Sequence, residues 1–337
     1  VVKRVRKKIF LLIGVVMMLL VCSVSAFAAS KITLKYAHMN SPMSVAGRQA
    51  EYFAKLVEEK TGGVVRVEVY PSSQLGNLQE QAEMVSMGTV ALHHNTMAGI
   101  GSLYQPFEAF DTPYLYESVD HLLKVTDPQT SPIMQSLSQQ LVNARNVRVL
   151  YTFYFGTRHL TCDRPIYKPE DLKGVKIRAI PFPIYMTAVE GLGAIAVPID
   201  WAEVPTALAT GAVNGQENPV NVVLANKFYE TQKYLMLTGH IMGAEVVVMN
   251  EKTWQKLSPE IQQAIQEAAA EASKTATQWT IESEQNDIQA LKEKGMTVIG
   301  PDEGLDIEAF RTSVRKLIQE RFGEKYGEFY EKVKAMK

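Results

Sequence analysis

Apolar and polar positions alternate with period two over residues 32–37, which predicts a strand. A helical pattern follows over residues 45–60 and closes at Thr61-Gly62-Gly63. Residues 64–70 read as a second strand stopped by Pro71, residues 76–87 as a helix ending at Gly88, and residues 89–93 as a third strand. This β-α-β-α-β order predicts a largely parallel sheet with helices on its faces. The order returns downstream, with a strand over 175–180 ended by Pro181, a helix leading to Val197-Pro198, a helix over about 202–210 ended by Gly211, and a strand starting at Val213. The two stretches overlay. Gly88-Thr89-Val90 matches Gly211-Ala212-Val213, and Asn95 and Asn218 each lie seven residues past the glycine. So short a match also arises by chance. Read physically, it places both asparagines just past the carboxyl end of a strand, where open α/β sheets bind ligands.

One long helix completes the pattern. Ser258 is a fitting N-cap and Pro259 suits the first helical position. Apolar residues recur at Ile261, Ile265, Ala268, Ala272, Ala276, Trp279, Ile288 and Leu291, before Gly295 stops the run. About 36 residues at 1.5 Å each give roughly 54 Å, longer than one lobe of a chain this size. The apolar stripe drifts instead of keeping heptads, so the helix is expected to bridge two lobes rather than form a coiled coil.

The first residues change the charge picture. Lys3, Arg4, Arg6, Lys7 and Lys8 precede an apolar run over 9–21, and Ala26-Phe27-Ala28 offers the small side chains of a signal-peptidase site. Residues 1–28 are therefore expected to be an export signal, with an uncleaved anchor as the other reading. The apolar run is short for a bilayer span, which needs about 20 residues. Removing the segment leaves 30 basic against 36 acidic side chains, a net of −6. That balance speaks against a nucleic-acid partner, so an anionic ligand must be met by a few local cations. Cys162 is then left without an intrachain disulfide partner and reads as a small buried hydrophobe. The remaining length is large for one core and predicts two lobes.

No HExxH, phosphate loop or Gly-x-Ser-x-Gly elbow occurs, and no nucleophile meets a base. His93 and His94 are adjacent on a predicted strand, so one is expected to be buried and the other solvated. His38, His121, His159 and His240 lack ligand spacing, and no metal or cofactor is expected. Arg178 closes a strand before a proline break, and Arg158 follows Gly156-Thr157. A guanidinium fork matches a carboxylate bidentately, so either could hold an anion. Pattern alone leaves the other reading open, a surface arginine paired with a nearby acid. In Gly215-Gln216-Glu217-Asn218-Pro219 the proline gives the Asn218 amide a defined direction, or the segment is an ordinary Asn-Pro turn. Trp201 either walls a ligand or packs in a core.

Five segments in order carry a resemblance. They are Val69-Tyr70-Pro71-Ser72-Ser73-Gln74-Leu75-Gly76, Gly156-Thr157-Arg158, Asp171-Leu172-Lys173-Gly174-Val175-Lys176-Ile177-Arg178, Gly215-Gln216-Glu217-Asn218-Pro219, and Phe228-Tyr229-Glu230 followed by Gln232-Lys233-Tyr234. The set resembles the extracytoplasmic binding proteins of tripartite ATP-independent periplasmic (TRAP) transporters, dicarboxylate-type branch, over essentially the whole chain after residue 28. The resemblance implies a two-lobed α/β fold, each lobe a mixed, mostly parallel sheet flanked by helices, with a long helix across both. It implies lobe I at 29–155 plus 244–283, lobe II at 156–243 plus 284–337, and hinge strands near 153–157 and 240–248. It assigns the ligand carboxylate to Arg178, a second anion contact to Arg158, a polar contact to Asn218 and an aromatic wall to Trp201. From the first lobe it draws Met39, Asn40, Asn95 and Thr96. Thr96 stands where sialic-acid binders of the family carry an acid, which points to a smaller organic acid. The implied role is non-enzymatic capture of that acid outside the cytoplasm and delivery to the membrane subunits of a TRAP transporter. A binding protein for another importer or a sensor kinase, or a secreted enzyme, are the alternative readings.

Overall fold

The computed structural model describes residues 31–336, so the expected export signal lies outside the described residues. From Thr33 onward the chain forms one compact unit. Its strands are β1 (Ile32–Ala37), β2 (Val65–Tyr70), β3 (Leu92–Thr96), β4 (Val147–Cys162), β5 (Lys176–Ala179), β6 (Ile195–Pro198), β7 (Gly215–Pro219), β8 (Tyr234–Asn250) and β9 (Thr297–Ile299). They join one sheet in the order β2-β1-β3-β8-β4-β7-β5-β6, with β9 on β8. β1 and β3 are parallel, as are β5, β6 and β7, whereas β4 and β8 run antiparallel to each other and to their neighbours β7 and β3.

The architecture turns on β4 and β8, which pair from Val147 opposite Asn250 to Cys162 opposite Tyr234. β3 borders β8 over Glu245–Met249, and β7 borders β4 over Arg158–Cys162. Between those stretches the two long strands are flanked only by each other, and the register slips at Tyr154/Gly156. Gly156 takes φ +123, and a Cβ there would lie 2.8 Å from the Pro219 side chain, so only glycine fits this close approach. Two parallel-sheet halves thus share one antiparallel pair. The fold is the two-lobed α/β arrangement.

The long helix is Pro259–Glu293, capped by Ser258, whose hydroxyl accepts from the Ile261 N–H. It packs on the helix Val45–Lys60 and β4 in one half, and on the helix Val220–Ala225 and β9 in the other. Its Thr277 accepts the Tyr154 N–H at 3.1 Å, and its Glu284 accepts the Thr157 N–H at 3.0 Å. Both donors sit where β4 has lost an ordinary neighbour, so the helix supplies acceptors that the sheet lacks. A second helix of 28 residues, Ile307–Lys334, is not among the elements expected above. Its buried Phe310, Val314, Ile318, Phe322 and Tyr326 keep an i, i+4 stripe.

Three expectations need correction. The third strand begins at Leu92 and ends at Thr96, so Asn95 lies inside it rather than past its end. Asn218 likewise lies inside β7. The shift arises because Thr89–Ala91 continue the turn that leaves the preceding helix, with the Thr89 N–H bonded back to the Met84 carbonyl. His93 and His94 do point to opposite faces, but both are fully buried because packing covers each face. His94 bonds Asn40 and contacts Tyr36 and Gln49, while His93 meets the Ala37 carbonyl. Burial lowers the pKa of both, so they sit neutral.

Candidate ligand-binding site

Arg178 is the third residue of β5, whose short run ends before Pro181. Its side chain is 1% exposed. Nε donates to the Ile199 carbonyl at 2.9 Å, a bond made possible by the parallel pairing of β5 with β6. Among the described residues nothing accepts from its two terminal nitrogens, and no carboxylate lies at ion-pair distance. The Trp201 ring stands 5.6 Å from the guanidinium carbon. Burial lowers the pKa to about 10, with Glu217 and Asp200 acting against that drop and Arg158 adding to it. The group stays charged at neutral pH and carries an uncompensated desolvation cost. An anion on its open edge would relieve that cost. The surface-arginine reading therefore fails here.

Arg158 is equally buried but differently used. Its Nη2 donates to Glu217 Oε1 and to the Glu217 carbonyl, each at 2.8 Å, while Nε faces Glu217 Oε2. Burial works against the Arg158 charge, and the Glu217 carboxylate more than offsets it, raising the pKa. Burial also opposes the Glu217 charge, but Arg158 and then His240 hold that carboxyl below its usual range. The expected anion contact is thus neutralised within the protein, leaving only Nη1 without a partner among the described residues.

Asn218 sits opposite His159 in the β4–β7 ladder and donates to the Gln216 side chain, leaving its own carbonyl oxygen unbonded among the described residues. Trp201 is half-buried, against Phe228 on one side and Arg178 on the other, so it serves as both core and wall. On the opposite half, Asn95 spends its amide on the Leu78 carbonyl, His93 and the Thr96 N–H. Asn40 accepts from His94 at 2.7 Å. Thr96 caps the short helix Met97–Gly101. These three are engaged within the protein, and Asn95 and Asn40 orient their neighbours. Met39 joins the apolar cluster that contains Ile180, Phe182 and Tyr185 of the other half.

The two halves are drawn together around this site. Asn77 Nδ2 donates to Asp200 Oδ2 at 3.2 Å, and Glu108 accepts the Ile184 N–H at 3.0 Å. Sequence reasoning missed Glu217 as a partner, although it stands between Gln216 and Asn218 in the motif that drew attention to the asparagine. It also missed Asp111, Tyr185 and Glu245. The signal for Glu245 was a lone acid in the apolar run Ala244-Glu245-Val246-Val247-Val248-Met249. A groove of about 880 Å³ beside the helix Ile307–Lys334 contains none of these residues.

Known proteins share this frame. The sialic acid-binding periplasmic protein SiaP of Vibrio cholerae is 32% identical over 302 residues, covering 90% of this chain and 92% of that protein. The C4-dicarboxylate-binding periplasmic protein DctP of Rhodobacter capsulatus is 31% identical and covers 85% of each chain. The crystal structure of a TRAP periplasmic solute-binding protein from Roseobacter denitrificans with bound L-galactonate superimposes with a TM-score of 0.84 at 29% identity, covering 91% of this chain and 99% of that one. Residues 36–325 match the sequence profile of the bacterial extracellular solute-binding proteins, family 7, a span that holds both arginines, the Glu217 partner and the sheet from the end of β1 onward; the chain belongs to that family of binding proteins.

Proposed function

We propose that this solute-binding protein captures a small organic acid by holding its carboxylate on the terminal nitrogens of Arg178, and delivers it to the membrane subunits of a TRAP transporter. The supporting observation is a fully buried guanidinium with one nitrogen anchored on a backbone carbonyl and an open edge that, among the described residues, no carboxylate pairs with. Asn218 and Nη1 of Arg158 would add polar contacts, Trp201 an apolar wall, and Thr96 and Met39 the facing surface. The three relatives named above bind, by their descriptions, sialic acid, C4-dicarboxylates and L-galactonate, each a carboxylic acid. We read residues 153–157 and 240–248 as the hinge about which lobe I (29–155, 244–283) and lobe II (156–243, 284–337) close, and residues 1–28 as the signal that places the protein in the periplasm. No helix among the described residues is long and apolar enough to cross a membrane.

Native mass spectrometry of the purified protein, followed by thermal-shift screening of organic acids, tests this reading. A co-purifying or stabilising carboxylic acid is expected. A neutral solute bound in preference to every acid would overturn it.

A further inference from the structure

The proposed carboxylate clamp leaves part of the buried polar interior unexplained. Glu245 on β8 lies opposite Thr96 of β3 and Phe153 of β4, is 1% exposed, and has both carboxyl oxygens buried without a hydrogen-bond partner. A native protein rarely leaves such a group unsatisfied, because an unpaired buried acceptor costs free energy comparable to a lost hydrogen bond. Its electrostatic neighbours are Asp111 and Arg158, and it is felt in turn by Tyr185 across the site. Asp111 is also 1% exposed; one of its oxygens takes the Ala98 N–H at 2.7 Å, and a side-chain hydrogen bond with Tyr185 further favours its carboxylate.

The charges of this interior can be balanced one by one. Arg158 is neutralised by Glu217. Arg178 awaits one anion. Burial, helped by Asp111, lifts the Glu245 pKa to about 8, and burial lifts that of Asp111 to about 7, with Arg158 opposing both. At neutral pH Glu245 is therefore mostly a neutral carboxylic acid, with one O–H to donate and a carbonyl oxygen to accept. After one ligand carboxylate meets Arg178, the described site residues hold no second cation without a carboxylate partner. A second carboxylate beside Asp111 and Glu245 would meet acid groups, and the nearby cation, Arg158, is already paired with Glu217.

The geometry points to a hydroxyl-reading subsite formed by Glu245 and Asp111, which makes the ligand a polyhydroxy monocarboxylate rather than a dicarboxylate. This rests on the Arg178 reading above. A neutral carboxyl such as that of Glu245 suits alcohol groups, because each hydroxyl both donates and accepts and so completes the missing bonds without bringing charge. A site built to bond hydroxyls rejects an analogue lacking them, since its own polar groups are then left unpaired.

Calorimetry with D-gluconate, L-galactonate and D-erythronate against succinate and hexanoate tests the subsite. At least one hydroxy acid is expected to bind tenfold or more tightly than succinate and hexanoate. In Glu245→Leu the ratio of hydroxy-acid to hexanoate affinity is expected to fall at least tenfold. Glu245→Gln, which keeps a neutral donor and acceptor and is the safer variant to fold, is expected to lose less than the leucine variant. Succinate binding as tightly as the best hydroxy acid, or an unchanged ratio in Glu245→Leu, overturns the subsite while leaving the clamp intact. Hydroxy-acid binding that survives Arg178→Ala instead overturns the clamp. Binding of none of these acids removes both.

Discussion

Arg158 and Glu217 form a side-on ion pair, with each side chain 1% exposed and Nη2 at 2.8 Å from Oε1. The same Nη2 reaches the Glu217 carbonyl, and His240 approaches the far carboxylate oxygen at 3.2 Å. The pair joins β4 to β7 at the edge of the cleft, so it stiffens the strand that carries Asn218. Removing one member strands a buried charge. Arg158→Ala or Glu217→Ala is expected to cost about 3–5 kcal/mol in denaturant unfolding. The apolar double substitution Arg158→Met with Glu217→Leu should recover much of that loss. Single variants that unfold like the parent protein would contradict the pair's structural weight.

Arg178 has a different dependence. Its interest lies in the open edge, so its replacement is expected to affect binding more than folding. Arg178→Lys keeps a positive charge but loses the planar fork and the backbone anchor through Nε. Affinity for the physiological acid should fall tenfold or more, in line with the roughly 2–5 kcal/mol lost when one side of a buried charged pair is truncated. Calorimetry showing equal affinities would remove Arg178 from the site.

Glu245 predicts a pH dependence whose sign follows from its raised pKa. The folded protein holds this proton up to about pH 8, whereas the unfolded chain releases it near 4.5. Stability from this group is thus complete below the unfolded value and is lost as pH rises through the folded one. Asp111, raised to about 7, acts in the same direction. The buried histidines, whose pKa burial lowers, act in the opposite direction below about pH 6.5, so the decline in melting temperature of the unliganded protein is expected from neutral to mildly alkaline pH, and less steeply in Glu245→Gln. Parallel curves for the two proteins would mean that Glu245 is not held neutral.

The Asn77–Asp200 hydrogen bond spans the two halves beside the site. Asn77 also caps the helix Leu78–Met87. Asn77→Ser preserves a good cap but shortens the reach to Asp200. Ligand dissociation measured by stopped flow should quicken several-fold, with little change in melting temperature without ligand. An unchanged off-rate would show that this contact does not hold the closed form.

Gly156 gives a last prediction. Its φ is positive, and a methyl group there would stand 2.8 Å from the Pro219 side chain, which leaves no room for alanine. Gly156→Ala should destabilise the protein by more than the ~1 kcal/mol that ordinary glycine replacements change. A melting temperature equal to the parent's would show that β4 can relax at its slip.

Local chemistry made much of the frame legible. The helix Val45–Lys60, the cap at Ser258, the 35-residue helix behind it and the glycine before Arg158 follow from periodicity and backbone preferences, which act within a few residues. The start of β3 was misplaced because a turn and a strand share the same apolar letters over residues 89–93. The solvated histidine was misjudged because alternation says which residues share a face, not whether another layer covers it.

By itself the sequence determined an α/β chain with alternating units, a bridging helix, two candidate arginines and no catalytic set. Only the tertiary structure decided which arginine is free. Arg158 and Glu217 are 59 residues apart and meet through the β4–β7 register, whereas the register of β5 and β6 turns Arg178 toward a backbone carbonyl and, among the described residues, out of ion-pair reach of any acid. The same long-range pairing carried Glu245 from an apolar-looking strand into the buried site. Charge pairing depends on distances across the sheet, and those arise from register and burial rather than from neighbours along the chain.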